Sequence, residues 1–447
     1  MDLNIEKKNG LELREEPRPS DGQVGSCPVC DRFAKDELIS IARLPPHLQE
    51  IVTSNTATTN ATELCGRCVE LFNRAQRQTQ SHAAIFEQND FVLPTPLRMD
   101  ADDRFTGRGV TMAFLDSGFF AHPDLKTPVD RILAYHSIFA ADGDVTSLDT
   151  NDVASWHGMM TSVVAAGSGA LSDGFYRGIA SDSNVVLVKI GRTGRISEDQ
   201  IRTGLEWVLA HREEYGIRVV NISAGGDFEE SYLTNQLSQT VERCAREGLV
   251  VVCAVGNAGM ASGHPVLPPA SAPSCIAVGG LDDQNSLDRA RRGMYRSSYG
   301  PTVDGLQKPE VIAPGIWVAA PILPRTPTAE EAELYTLLDT TPDDELRAVI
   351  EAHAGIDQDL DDAKTMPVPL LRQLITIKLR EGNVINSHYK YVDGTSFAAP
   401  IVTSIIAQMF EANPQLTPGA VKSILLSTAD RIVGAPALRQ GYGVVNA

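Results

Sequence analysis

The sequence predicts an α/β protein: a doubly wound, mainly parallel sheet with helices on both faces, preceded by a small cysteine-bearing unit. Three observations carry this. From Gly109 onward, short and nearly continuous apolar runs alternate with helical stretches. Runs of that kind are strands buried on both faces, which is the habit of a parallel sheet covered by helices. Ahead of them, four of the seven cysteines form two CxxC pairs. Finally, 43% of the 447 residues are hydrophobic and 21% charged. That is ordinary globular usage with ample material for a large core, and it excludes a disordered or fibrous chain.

The elements follow in order. Residues 1–22 alternate charges and lack an apolar h-region, so they predict a polar tail and no secretory signal. Residues 23–90 carry Cys27, Cys30, Cys65 and Cys68. Between the pairs, DELISIARLPPHLQEIV predicts an amphipathic helix broken at Pro45-Pro46. VELFNRAQRQTQSH, after Cys68, has helical spacing. Two prolines and several charges make 91–108 a linker. In 109–447, VTMAFLD, NVVLVKI, IRVVNIS, LVVVCAV and CIAVGG predict strands. Helices are expected around Ser162–Ala166, Glu198–His211 and Thr234–Glu247.

Residues 322–388 interrupt that texture with an acidic, helix-forming stretch. Thr328-Ala-Glu-Glu331 predicts a capping box, and Thr341-Pro342 places proline in a first helical turn. Asp357, Asp359 and Asp361 alternate as in a calcium loop. The glycine of such a loop is missing and Val368 stands where its closing Glu belongs, so a solvated acidic loop is expected.

Lys and Arg number 39 against 57 Asp and Glu, a formal net charge of −18. Such a chain repels phosphate backbones, which argues against nucleic-acid partners. The first 100 residues hold 11 basic and 15 acidic side chains, so they offer no basic footprint either. No run of about 18 apolar residues predicts a membrane helix. An odd cysteine count without a signal argues for a cytoplasmic protein over a disulfide scaffold. Cys244, Cys253 and Cys275 lie in apolar runs and read as small buried hydrophobes.

Three segments carry chemistry. AFLDSG ends a strand at Asp116, with Gly118 allowing a tight turn. SWHGMMTSVVAAG puts His157 at the mouth of a helix, and DGTSFAAPIVTSII puts Ser396 at the start of another. A hydroxyl becomes a nucleophile when a base takes its proton, and the base needs an orienting group. Ser396, His157 and Asp116 supply those roles. Asn257, in the turn AVGNAG, and the Ser396 backbone N–H are suited to stabilise an oxyanion.

DSG, HGMMTSVVAAG, VNISAGG, VGNAG and GTSFAAP, in that order, resemble the subtilisin-like serine proteases. GRGV, SSYGP, KPEVIAPG and the closing GYGVVNA agree, so the resemblance spans roughly 107–447 outside 322–388. It implies the subtilisin-like fold and an endopeptidase acting on protein or peptide substrates. It also implies that a substrate strand lies between Ser223-Ala224-Gly225-Gly226 and a facing wall of Ala254-Val255-Gly256. Calcium is common in the family, and this sequence does not place its ligands. Phe397 follows the nucleophile where the family often has Met. Pro314 and Ser396 are 82 positions apart, far more than the family's short connection. The insertion reads as a lid, a docking arm, an activation segment or a surface embellishment.

Four thiolates from Cys27, Cys30, Cys65 and Cys68 match a structural zinc site, with redox pairs and reduced structural thiols as the alternatives. The 34 residues between the pairs exceed ribbon spacing, which a folded insert explains. His47 and His82 stand by as replacement ligands. An uncontrolled cytoplasmic protease would damage its host, so control by the zinc unit, the insertion or a regulatory protein partner is expected. The competing reading is a zinc-directed recruitment module on an inactive protease-like scaffold.

Overall fold

A computed structural model describes residues 92–447 apart from 141–146, 193–195, 262 and 264. Before residue 92 it describes 27–29, 38–46, 48, 49, 52, 53, 61–66, 68–70, 72 and 73. Residues 1–22, Cys30, His47 and His82 lie outside the described residues.

Strand β1 (Ile39–Ser40) pairs antiparallel with β2 (Glu63–Leu64). This corrects the helix expected across DELISIARLPPHLQEIV. Ile41 N donates to Thr62 O at 2.9 Å, so the backbone is satisfied across the pair; a single 3-10 turn follows at Ile41–Arg43, and α-helical residues begin at 46. The 91–108 stretch is also more than a connector. Helix α1 (Thr95–Arg98) is buried, and Arg98 joins Asp283 through two 2.8 Å hydrogen bonds. The same guanidinium donates to the carbonyls of Trp317 and Ile316. A buried cation is tolerated because every face of its fork is paired.

The main unit runs β3 (Thr111–Asp116), α2 (Pro123–Lys126), β4 (Ile132–Ser137), α3 (Ser155–Ala166), β5 (Asn184–Lys189) and α4 (Glu198–His211). It continues with β6 (Ile217–Ile222), α5 (Gln236–Arg246), β7 (Val250–Ala254), β8 (Ile276–Asp282), β9 (Gly293–Met294) and the hairpin β10 (Gly300–Pro301) and β11 (Gln307–Lys308). Next come β12 (Val311–Pro314), β13 (Val318–Pro321) and four helices, α6 (Pro327–Thr340), α7 (Leu346–Ala352), α8 (Gln358–Ala363) and α9 (Val368–Glu381). β14 (Tyr389–Val392), α10 (Thr395–Ala412), α11 (Pro418–Thr428) and α12 (Ala437–Gln440) close the chain.

The central sheet has the order β12-β8-β7-β6-β3-β5-β4, all parallel, with β9 antiparallel on β8. Alternation along each strand feeds two cores. Met112, Phe114, Val185 and Leu187 face α3 and α10, while Ala113, Leu115, Val186 and Val188 face α4 and α5. The expected doubly wound α/β architecture is present. Successive strands are added on one side of β3 and then on the other, so its carboxyl end is a switch point where such sheets hold their sites.

The four-helix insertion closes a small core of its own, including Leu334, Leu338, Ile350, Leu371 and Ile375. Its base is the antiparallel ribbon β13–β14. Two details depart from expectation. Thr326, not Thr328, caps α6 because Pro327 takes the first helical position. Pro342 precedes a turn, and α7 begins only at Leu346. The acidic run serves as a helix cap: Asp357 Oδ1 accepts from the N–H groups of Asp359 and Leu360, and its Oδ2 pairs with Lys378 at 3.0 Å.

Candidate active site

Asp116 ends β3 at the switch point and is 2% exposed. Helix α3 passes close beside it because residue 158 is glycine. A Cβ there would sit 2.2 Å from Gly118 O and 2.9 Å from Asp116 Cβ. That approach brings His157 Nδ1 within 2.9 Å of both Asp116 oxygens. Ser117 N donates to Asp116 Oδ1 at 2.8 Å, and Thr161 Oγ1 to Oδ2 at 3.3 Å, so the carboxylate is held from three sides. Burial pushes the His157 imidazole down. The charge of Asp116 and its hydrogen bond push it up further, and the net direction is above the ordinary histidine value.

Gly394 precedes α10 at φ +136°, a conformation that favours glycine. A Cβ there would meet Ser396 N at 3.7 Å and Asn257 Nδ2 at 3.8 Å, so those two donors converge on one spot. Asn257 is fixed from behind. Its Oδ1 accepts from Thr395 N at 2.9 Å and from Thr395 Oγ1 at 3.0 Å, which turns Nδ2 outward. The same threonine oxygen accepts from Gly256 N at 3.3 Å. Phe397 places its ring 5.8 Å from the His157 ring, which sets the start of α10 beside the imidazole. Among the described residues no hydrogen bond joins Ser396 Oγ to His157. Nucleophile–base contacts are commonly long in a free site and tighten on substrate.

The expected substrate walls adjoin this centre. Ser223 Oγ donates to Ser396 O at 2.9 Å, and Gly226 N donates to Pro268 O at 2.6 Å. Ala224 is half-buried between them, and Gly225 is open, with nothing within 4 Å of where a Cβ would lie. Ala254 and Val255 are buried and Gly256 is half-buried, at φ +103°. Cys244, Cys253 and Cys275 are fully buried, and burial pushes the Cys244 thiol up to about 12. They act as small core residues.

The sequence profile of the Subtilase family matches residues 107–443. The chain belongs to the subtilase family. This subtilase is 30% identical over 350 residues to "Serine protease AprX" of Bacillus subtilis (strain 168), covering 76% of this chain and 66% of that protein. It is also 30% identical over 213 residues to "Subtilisin BL" of Lederbergia lenta, covering 47% of this chain and 65% of that one. The chain thus spans just under two thirds of the length of these relatives. Among solved structures, "S41 Psychrophilic Protease" superposes with a TM-score of 0.51 at 19% identity, over 76% of this chain and 92% of that chain. That likeness speaks for the fold.

Two side chains of this subtilase site escaped the sequence reading. Thr161 lies one helical turn beyond His157, so the i, i+4 spacing was its available signal. Thr395 adjoins Ser396, but nothing in its position along the chain reveals that it hydrogen-bonds Asn257.

Near the N-terminus, Cys27, Cys65 and Cys68 are buried, and their sulfurs lie within 4.8 Å of one another. The Cys27 and Cys68 sulfurs are 3.9 Å apart, and Cys65 N lies 3.2 Å from Cys27 Sγ. A tetrahedral metal with sulfur bonds of about 2.3 Å sets its ligands about 3.8 Å apart, so the trio has the right dimensions. Among the described residues this is the one convergence of three or more metal-binding side chains.

Proposed function

We propose that the chain is a serine endopeptidase acting on protein or peptide substrates through Ser396, His157 and Asp116, with Asn257 as an oxyanion donor. The observation that carries the reading is the paired 2.9 Å contact of the Asp116 carboxylate with His157 Nδ1, beside the Ser396 turn. With Nδ1–H committed to Asp116, the Nε2 lone pair is left to accept the Ser396 proton. Oγ then bonds to the peptide carbonyl carbon, and the C=O electron pair moves to oxygen. Ser396 N and Asn257 Nδ2 donate to that oxygen. The imidazolium returns its proton to the leaving amine as the C–N bond breaks. Water repeats the sequence on the resulting ester, with His157 again as base. Ser223-Ala224-Gly225-Gly226 and Ala254-Val255-Gly256 hold the acyl side of the substrate as an added strand.

Treatment with a fluorophosphonate, read by intact mass, tests this directly. One adduct is expected, and its absence would favour the inactive-scaffold reading. Asn257→Ala is expected to lower kcat by about 10²–10³ while KM changes little, the loss known for the corresponding amide of subtilisin. An unchanged kcat on a peptide amide would remove Asn257 from the mechanism.

The N-terminal cysteines are proposed to hold a structural zinc ion, with Cys30 completing the set of Cys27, Cys65 and Cys68. Zinc there would supply folding energy to a unit too small for a full core. Such thiolates persist in a reducing compartment, which supports a cytoplasmic location. No helix of the described residues is long and apolar enough to cross a membrane. The cysteines share a cluster with Leu93, Phe175, Tyr176 and Tyr389. Tyr389 opens β14, the strand that leads to Ser396. Control by the zinc unit would therefore act through the nucleophile's supporting strand, since among the described residues none of that unit lines the cleft beside Ser396. Elemental analysis of the purified chain should find one zinc per molecule. Cys65→Ser and Cys68→Ser should lose it and slow fluorophosphonate labelling. Full labelling without zinc would rule that control out.

A further inference from the structure

An apolar cleft of about 560 Å³ is lined by Trp156 and Phe397, whose rings flank the His157 ring at 5.2 and 5.8 Å, while His157 and Ser396 themselves stay outside its lining. Trp156 and Phe397, the neighbours of His157 and Ser396, line one wall, and Ile322, Leu323 and Thr328 at the root of the insertion line the other. Trp156 is 43% exposed although its ring packs edge-on against His157 at 5.2 Å. A large aromatic surface left open next to a reacting centre is what a binding wall offers. None of the acyl-side segments, Ser223–Gly226 or Ala254–Gly256, contributes to this cleft, and neither does Asn257. The imidazole passes its proton to the departing amine, so a cleft on its side faces the leaving half of the substrate. Lys390 and Asp393 supply the charges of the lining.

We infer that this cleft receives a large apolar side chain from the first two substrate residues after the scissile bond, and that the insertion serves as a specificity wall. The inference rests on the serine endopeptidase reading. Its occupant is argued from the Trp156 and Phe397 rings that flank His157 and from the aromatic and aliphatic lining. The root of the insertion and the first turn of α6 supply the wall.

The test uses the full chain and quenched-fluorescence peptides that share one acyl side and vary the two residues after the bond among Leu, Phe, Gly and Asp. Leu or Phe is expected to exceed Gly and Asp in kcat/KM by about tenfold to a hundredfold at one of the two positions, the rate equivalent of burying one such side chain. A flat profile at both positions overturns the inference. Fluorophosphonate labelling of the same preparation separates the failures, because it needs the triad and no leaving-side residue. No label would sink the enzyme reading, whereas label with a flat profile would sink only the cleft. Thr328→Trp, at an exposed rim position, should pull the Leu-to-Gly ratio toward one. That ratio is taken within the variant, so a general loss of activity cancels. A ratio equal to that of the unaltered chain would assign the preference elsewhere.

Discussion

Replacing Ser396 with alanine is expected to lower kcat by about 10⁶ and to abolish the fluorophosphonate adduct, with the fold retained. The magnitude is the one found when the nucleophile of subtilisin is removed. The argument for an intact fold is local. Ser396 is half-buried, and its Oγ makes no hydrogen bond among the described residues, so truncation leaves no polar partner stranded. Helix α10 is anchored by Phe397, Ala398, Ile401 and Val402, which are untouched. The donors also survive: the backbone N–H belongs to any residue at 396, and Asn257 keeps its hold on Thr395. Residual hydrolysis about 10³–10⁴ above water is therefore expected from the oxyanion site and binding alone. Thermal unfolding should shift by no more than about 0.5 kcal/mol in stability, the usual scale for a substitution without such features. Peptide hydrolysis by a clean Ser396→Ala preparation near the unaltered rate would show that another group is the nucleophile.

The alternation of strands and helices after Gly109 was open to sequence reading because β3, β5, β6, β7 and β8 are buried on both faces and α4 and α5 each carry one apolar side. Asp116, His157, Asn257 and Ser396 were legible for a related reason. Each sits at the end of a strand or the start of a helix, where a polar residue interrupts an apolar run. The opaque features depend on partners far along the chain. Arg98 looked like one charge of a linker because Asp283, Ile316 and Trp317 are brought to it only by the folded sheet. The β1–β2 pair was hidden because a two-residue strand has no measurable period. The cap of α6 was misplaced because Thr326 and Thr328 offer equivalent hydroxyls, and only the fixed φ of Pro327 decides between them. The wall beside Trp156 was invisible for the same reason as Arg98, since Ile322 and Leu323 lie far along the chain and share a cleft with Trp156 only in the folded protein.

Asp116→Asn should have the second largest effect, about 10⁴ in kcat, and it should also move the pH dependence. In the unaltered chain the Asp116 charge and hydrogen bond overcome burial and raise His157 above its ordinary value. His157 works as a base only when neutral, so kcat/KM is expected to rise with pH through a midpoint above 6.5. An asparagine carries no charge to stabilise the imidazolium, and burial then acts unopposed. The midpoint should move to lower pH, so the variant reaches its much lower plateau in more acidic solution. The plateau falls because the amide N–H cannot accept from Nδ1–H, and the imidazole turns to the wrong tautomer. Stability follows the same sign. A raised histidine value stabilises the folded state fully below the unfolded value and loses that contribution as pH rises through the folded one. The variant should therefore be less stable than the parent chiefly on the acid side. Profiles of kcat/KM from pH 5 to 9 for both proteins decide the matter. A variant whose midpoint stays where the parent has it would mean that Asp116 does not set the charge of His157, and the proposed role for that carboxylate would be withdrawn.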